Sequence, residues 1–186
     1  MEAIKKIGLN KIAKVILIAI LGTLLLTISA KIKIPFYPVP MTMQTFIVLF
    51  LGITLGPKIG LLTVSLYLFE GIFGLPVFAG TPEKGIGLIY FTGPTMGYLV
   101  GFLVAVYLAG SFKYDKGIIN TFLKLIFSVS FIYILGLIWL GTLIGWDKPI
   151  FKLGAQPFLL AELFKLLLLV FLTPNLLKVK KLIKII

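Results

Sequence analysis

The stretch Pro157-Phe158-Leu159-Leu160-Ala161-Glu162-Leu163-Phe164-Lys165 sets a carboxylate and an ammonium three residues apart in an apolar run. At that spacing both side chains lie on one face of a helix. Each such charge at the centre of a bilayer costs roughly 2.5–3.5 kcal/mol. Glu162 and Lys165 therefore face a cavity or each other. Glu162 stands about seven residues into its apolar run, a depth of roughly 10 Å at 1.5 Å per residue. That depth suits the floor of a pocket open to the outside. The structural alternative is an ion pair, or snorkelling toward the interface.

Three further groups of residues carry polar chemistry. Met41-Thr42-Met43-Gln44-Thr45 follows Pro35, Pro38 and Pro40. Its Gln44 amide could bind an uncharged ligand group or a neighbouring helix. Residues 71–93 form a long segment too apolar for an idle solvated loop. Phe73, Val77, Phe78, Ile86, Leu88 and Tyr90 can fold back as a lid, or pack on the bundle without gating. Glu70 is a third acid in an apolar setting, able to meet a lysine or the pocket. Ala19, Thr23 and Thr27, with Gly22 beside them, let a second helix approach closely. That helix could be internal or belong to another protein, and internal packing satisfies the spacing most simply.

What is missing excludes whole classes. There is no Cys and no His. Disulfides, thiolate or imidazole catalysis and the usual zinc or haem ligands are thereby removed. No G-x-x-x-x-G-K-[ST] loop is present for nucleotide phosphates. No group of acids offers a metal site or proton relay. The expectation is a protein that is not an enzyme, holds no metal or cofactor, and borrows any transport energy from a partner. A lipid-modifying enzyme would need paired acids for Mg²⁺; a self-sufficient carrier would need a relay of charges.

The elements that must position these residues follow from composition. Of 186 residues, 60% are hydrophobic and 13% charged, half the share usual in a soluble domain. Too few polar residues remain to cover a soluble core, so lipid is the fitting solvent. The length reads as one domain, 1–186. About 20 apolar residues cross a bilayer. That ruler predicts six spans, near 12–29, 41–55, 59–73, 94–112, 118–144 and 155–173. The second and third are short, separated by Gly56-Pro57-Lys58; two spans are preferred there to one re-entrant hairpin. The first run follows Lys5, Lys6, Lys11 and Lys14 but lacks a small-residue cleavage site, so it reads as a retained span.

The net charge is +12, with 18 lysines and no arginine. Such a surplus suggests nucleic acid, but membrane topology explains it better. Counted by alternate sides, twelve lysines (5, 6, 11, 14, 58, 113, 116, 124, 178, 180, 181 and 184) face five (31, 33, 84, 148 and 152). The positive-inside bias then puts both termini in the cytoplasm. The fold expected is an all-α integral membrane protein, a six-helix transmembrane bundle with a long outer loop between helices 3 and 4.

Ordered motifs narrow this further. Pro40-Met41-Thr42-Met43-Gln44-Thr45, Tyr67 through Gly71, Gly74-Leu75-Pro76-Val77-Phe78-Ala79-Gly80, Gly93-Pro94-Thr95-Met96-Gly97-Tyr98 and Gly101-Phe102 are followed by Pro157-Phe158 and Glu162-Leu163-Phe164-Lys165. Together they resemble the biotin-specific substrate-binding (S) component of energy-coupling factor (ECF) transporters. The resemblance implies a cell-membrane protein with both termini inside, binding biotin near the outer face beneath the loop after helix 3. It implies as partners a transmembrane coupling protein and two cytosolic ATPases that hydrolyse ATP. It maps the family's Asp-x-x-Lys onto Glu162 and Lys165, and part of the coupling contact onto Ala19 and Thr23. Glu162 stands where Asp is usual and Met96 where Gly is usual. Another small carboxylate vitamin such as lipoate stays open as the ligand.

With such a ligand, Lys165 is expected to take the carboxylate and Glu162 the ureido N–H groups. Gln44 would support them, and Phe78, Tyr90, Tyr98 and Glu70 complete the expected ligand set. The reverse, with Glu162 merely neutralising Lys165, stays open.

Overall fold

The structure, a computed structural model, describes residues 2–35 and 37–184, and side chains within 11–35 and 37–183. The side chains of Lys5, Lys6 and Lys184 in the charge count lie outside that range. Six α-helices follow one another: α1 (Glu2–Lys31), α2 (Gln44–Ile72), α3 (Met96–Ser111), α4 (Gly117–Ile144), α5 (Ile150–Gly154) and α6 (Leu159–Lys184). Two short strands, β1 (Lys33–Ile34) and β2 (Met41–Thr42), pair antiparallel in the segment between α1 and α2. The stretches Lys11–Lys31, Gln44–Ile72, Gly117–Ile144 and Ile150–Ile183 are each long and apolar enough to cross a membrane; α3 is apolar but shorter. The large apolar side chains of α1, α4 and α6 are exposed in number, the reverse of a soluble surface and the expected outside of a lipid-embedded bundle.

Gln44–Ile72 is not one straight rod. Gly56 takes φ 78° and ψ 178°, and Pro57 follows it. Glycine reaches that φ without a Cβ clash, and proline has no N–H to continue the ladder. The arms 44–55 and 57–72 fold back on each other. Gln44 Nε2 lies 2.8 Å from Tyr67 OH, although 23 residues along one helix would span about 34 Å. The Gly56-Pro57-Lys58 turn thus falls where the composition put it. At 12 and 16 residues the arms run roughly 18 and 24 Å, short of a hydrocarbon core of about 30 Å.

Helices approach closely where glycine removes a side chain. A Cβ on Gly52 would lie 2.6 Å from the Val106 carbonyl oxygen of α3, and one on Gly101 2.6 Å from Ile132 Cα of α4. Without water to drive association, such contacts supply much of the packing force in lipid. The core they enclose includes Val48, Leu49, Ile53, Val64, Tyr67, Phe102, Ala105, Leu125, Ile132 and Leu169.

On α1 the residues facing the bundle are Ala19, Gly22, Thr23, Leu26 and Ala30, a stripe at helical spacing. Gly22 meets the Thr63 methyl of the 57–72 arm, leaving no room for a Cβ. The small-residue face is therefore filled from within the chain. The last element begins later than the apolar run suggests. Residues 150–158 are taken up by α5 and a 3-10 turn (Gln156–Phe158). Glu162 then falls in the first turn of α6, where the helix dipole favours an anion.

Candidate functional site

The segment between α1 and α2 is shaped by proline and by one pair of strands. Lys33 pairs with Thr42 and Ile34 with Met41, and Met43 N–H donates to the Ile32 carbonyl. This hairpin lays Val39–Thr42 over the bundle and starts α2 at Gln44. Thr42 and Thr45 are thereby brought beside the first turn of α6.

Four side chains meet there. Lys165 Nζ donates to the Thr42 carbonyl at 2.7 Å and to Thr45 Oγ1 at 3.0 Å. Its third contact is Glu162 Oε2 at 3.5 Å. Thr45 Oγ1 donates to Glu162 Oε2 at 3.0 Å, and Tyr133 OH of α4 to the same oxygen at 2.9 Å. Glu162 is 4% exposed and Lys165 9%. The three N–H groups of the ammonium thus all have acceptors within the protein. Glu162 Oε1 is different: it is buried and has no partner among the described residues. A buried acceptor left unpaired costs about 1–3 kcal/mol, and an incoming donor would remove that cost.

Glu162, Lys165, Thr45 and Tyr133 border a cavity also lined by Val39, Met41, Gln44, Tyr90, Thr95, Tyr98, Phe102, Ile132 and Phe158. Its empty space of about 550 Å³ includes open solvent at the mouth. Its walls are mostly apolar and aromatic, with polar groups concentrated at one end.

Gln44 belongs to this cavity and is already oriented. One amide N–H goes to Tyr67 OH, and its Oε1 accepts from Thr42 Oγ1 at 3.2 Å. Tyr67 OH in turn donates to the Val77 carbonyl at 3.0 Å. This chain links the cavity to the long loop after α2. Other ties hold that loop. Tyr90 OH donates to the Ala79 carbonyl at 2.8 Å, and Trp139 Nε1 to the Gly93 carbonyl at 2.9 Å. Burial pushes the Tyr90 phenol up, so it stays a neutral donor near pH 7. Lys31, the last residue of α1, donates to the carbonyls of Pro76, Phe78 and Thr81 and to Thr81 Oγ1, at 2.8–3.2 Å.

Of the residues singled out from sequence, Lys165, Glu162, Gln44, Tyr90 and Tyr98 share the cavity. Tyr98 presents its ring there and gives its proton to the Gly154 carbonyl at 2.8 Å. Phe78 does not line the cavity. It is buried behind it, stacked on Tyr90 at 4.7 Å and edge-on to Tyr67 and Phe91. Glu70 also lies elsewhere, accepting from Thr23 Oγ1 at 2.9 Å across the contact of α1 with the 57–72 arm. Ala19 and Thr23 are 1% and 2% exposed, and Thr23 is bound to that same arm. Thr45 and Tyr133 were given no role by sequence, yet both bind Glu162. For Tyr133 the signal was only a hydroxyl inside an apolar run. Among the described residues no group of His, Cys, Asp and Glu could hold a metal.

Comparison with known proteins bears on this site. Residues 3–182 match the BioY family. The probable biotin transporter BioY of Pyrococcus horikoshii is 35% identical over 153 residues, covering 82% of this chain and 90% of its own. The biotin transporter BioY of Thermotoga maritima is 36% identical over 145 residues, covering 77% of this chain and 84% of its own. Among solved structures, the S-component for biotin from an ECF-type ABC transporter superposes with a TM-score of 0.75 and 26% identity, over 91% of this chain and 93% of that one.

Proposed function

The chain belongs to the BioY family, and from that premise we propose that it is the biotin-binding membrane subunit of an ECF-type importer. It is a multi-pass membrane protein of the transporter class and not an enzyme. The observation that carries the ligand assignment is Glu162, which lines the polar end of an aromatic-walled cavity and whose buried Oε1 is unpaired among the described residues. A ureido ring brings N–H donors to that acceptor and a carbonyl that the second amide N–H of Gln44 can meet. Tyr90, Tyr98, Phe102 and Phe158 suit the bicycle and chain. Lipoate has no N–H to offer and would leave Glu162 Oε1 unpaired, which favours biotin. Lys165, whose donors already have acceptors, works in this reading by holding Glu162 and the Thr42 carbonyl in place.

We further propose that the two arms of α2 each cross the membrane, giving six crossings with α1, α3, α4 and α6. The lysine excess then sets both termini in the cytoplasm. The chain itself lacks a nucleotide-binding loop, so the energy would come from cytosolic ATPases through a membrane coupling protein. The purified protein should bind biotin saturably at one site by isothermal titration calorimetry. Absence of saturable biotin binding would sink the assignment, and tight lipoate binding in its place would redirect it. Glu162→Gln removes the acceptor charge and should weaken biotin by at least about tenfold.

A further inference from the structure

The cavity's polar inventory is lopsided. Of the described residues that line it, Lys165 is the one cation, and its ammonium is held by Thr42, Thr45 and Glu162. The phenol protons of the walls are spent as well. Tyr90 gives its own to Ala79, Tyr98 to Gly154 and Tyr133 to Glu162. The Thr45 hydroxyl also donates to Glu162. Among the described residues, what the site offers without a partner is an acceptor, Glu162 Oε1, and one neutral donor, the second amide N–H of Gln44.

Glu162 and Lys165 together carry no net charge. An anionic group drawn in beside them would add a negative charge with only the neutral second amide N–H of Gln44 to receive it, and buried charges of that kind are costly. Nor is Lys31, at the end of α1, free: it is bound by four acceptors of the long loop. A ligand that carries both N–H donors and a carboxylate must then enter donor end first. Its carboxylate is left at the solvent-open side of the cavity, where water solvates it.

We infer that this protein recognises its ligand by the hydrogen-bond donor edge and does not read the charge of the ligand's tail. Ureido bicycles with uncharged tails, such as esters and amides of the side-chain carboxyl, belong to its ligand class. The inference rests on the reading of the site as a biotin pocket.

The test is a three-ligand comparison on the purified full chain in lipid nanodiscs, by calorimetry. Biotin methyl ester should bind within about tenfold of biotin. Biotin N-methylated on both ureido nitrogens should bind at least about a hundredfold more weakly, because Glu162 Oε1 then meets no donor. A methyl ester weaker by more than tenfold overturns the inference, since the charge is then being read. So does an N-methylated ligand that binds as well as biotin. If biotin itself fails to bind, the biotin assignment falls first and this inference falls with it. The two failures are therefore told apart by the biotin arm alone. A second measurement guards the result: raising salt should leave biotin affinity unchanged within about twofold, because screening acts on charge recognition.

Discussion

Thr45 and Glu162 stand 117 positions apart in sequence and are joined by a 3.0 Å hydrogen bond in which the threonine hydroxyl is donor. The same hydroxyl accepts from Lys165 at 3.0 Å. One small side chain on the first turn of α2 thus ties both charged groups of α6. Thr45→Val keeps the shape and removes both bonds. It should weaken ligand binding by about 1–3 kcal/mol, read as roughly a ten- to hundredfold rise in Kd. An unchanged Kd would show that the hydroxyl does not orient the carboxylate.

The buried pair makes an opposite demand on stability. Lys165→Met leaves the Glu162 carboxylate uncompensated and should cost about 3–5 kcal/mol. Adding Glu162→Gln to that variant removes the stranded charge and should return most of the loss. Ligand binding should remain weakened in the double variant. Thermal unfolding in detergent and a titration on the same samples separate the two effects. A double variant no more stable than Lys165→Met would refute the charge argument.

Tyr133 tests the α4 side of the site. Tyr133→Phe deletes one donor to Glu162 Oε2 at 2.9 Å and keeps the ring. Affinity should fall about tenfold, or ~1.4 kcal/mol. Tyr98→Phe removes a bond to the Gly154 carbonyl instead, so it should act on stability more than on binding.

Lys31 tests the loop. Lys31→Met removes donors to three loop carbonyls and one hydroxyl. Cleavage by trypsin after the exposed Lys84 should then speed up about three- to tenfold, because local opening governs such cuts. Ligand should also leave faster. Unaltered cleavage at Lys84 would mean that the ties from Tyr67, Tyr90 and Trp139 suffice.

How much of this was legible beforehand can be judged residue by residue. The Glu162–Lys165 face was readable because helical spacing is local, and the Gly56-Pro57 turn because both residues have strong backbone preferences. Gln44 was readable as a polar group in an apolar run. The partners of Glu162 were not, since Thr45 and Tyr133 reach it from two other helices. Glu70 and Thr23 illustrate the same point from the other side. A buried acid and a small-residue stripe were each visible, but spacing alone says nothing of their meeting 47 residues apart. Phe78 lies one layer behind the cavity wall, stacked on Tyr90: an aromatic in an apolar loop can line a cavity or back the residue that does. The start of α6 was set by Pro157 and the 3-10 turn around it, which moved Glu162 from mid-helix to a helix N-terminus.

The ties made by Lys31 carry a mechanical consequence. Lys31 is the last residue of α1, and the opposite face of that helix, including Ile16, Leu17, Ile20, Leu24 and Ile28, is exposed. A slide of α1 by one residue, about 1.5 Å along its axis, would strain those bonds together. The loop above the cavity is leashed to a rod whose far side touches only its surroundings. Whatever pushes on that side pulls on the mouth of the pocket.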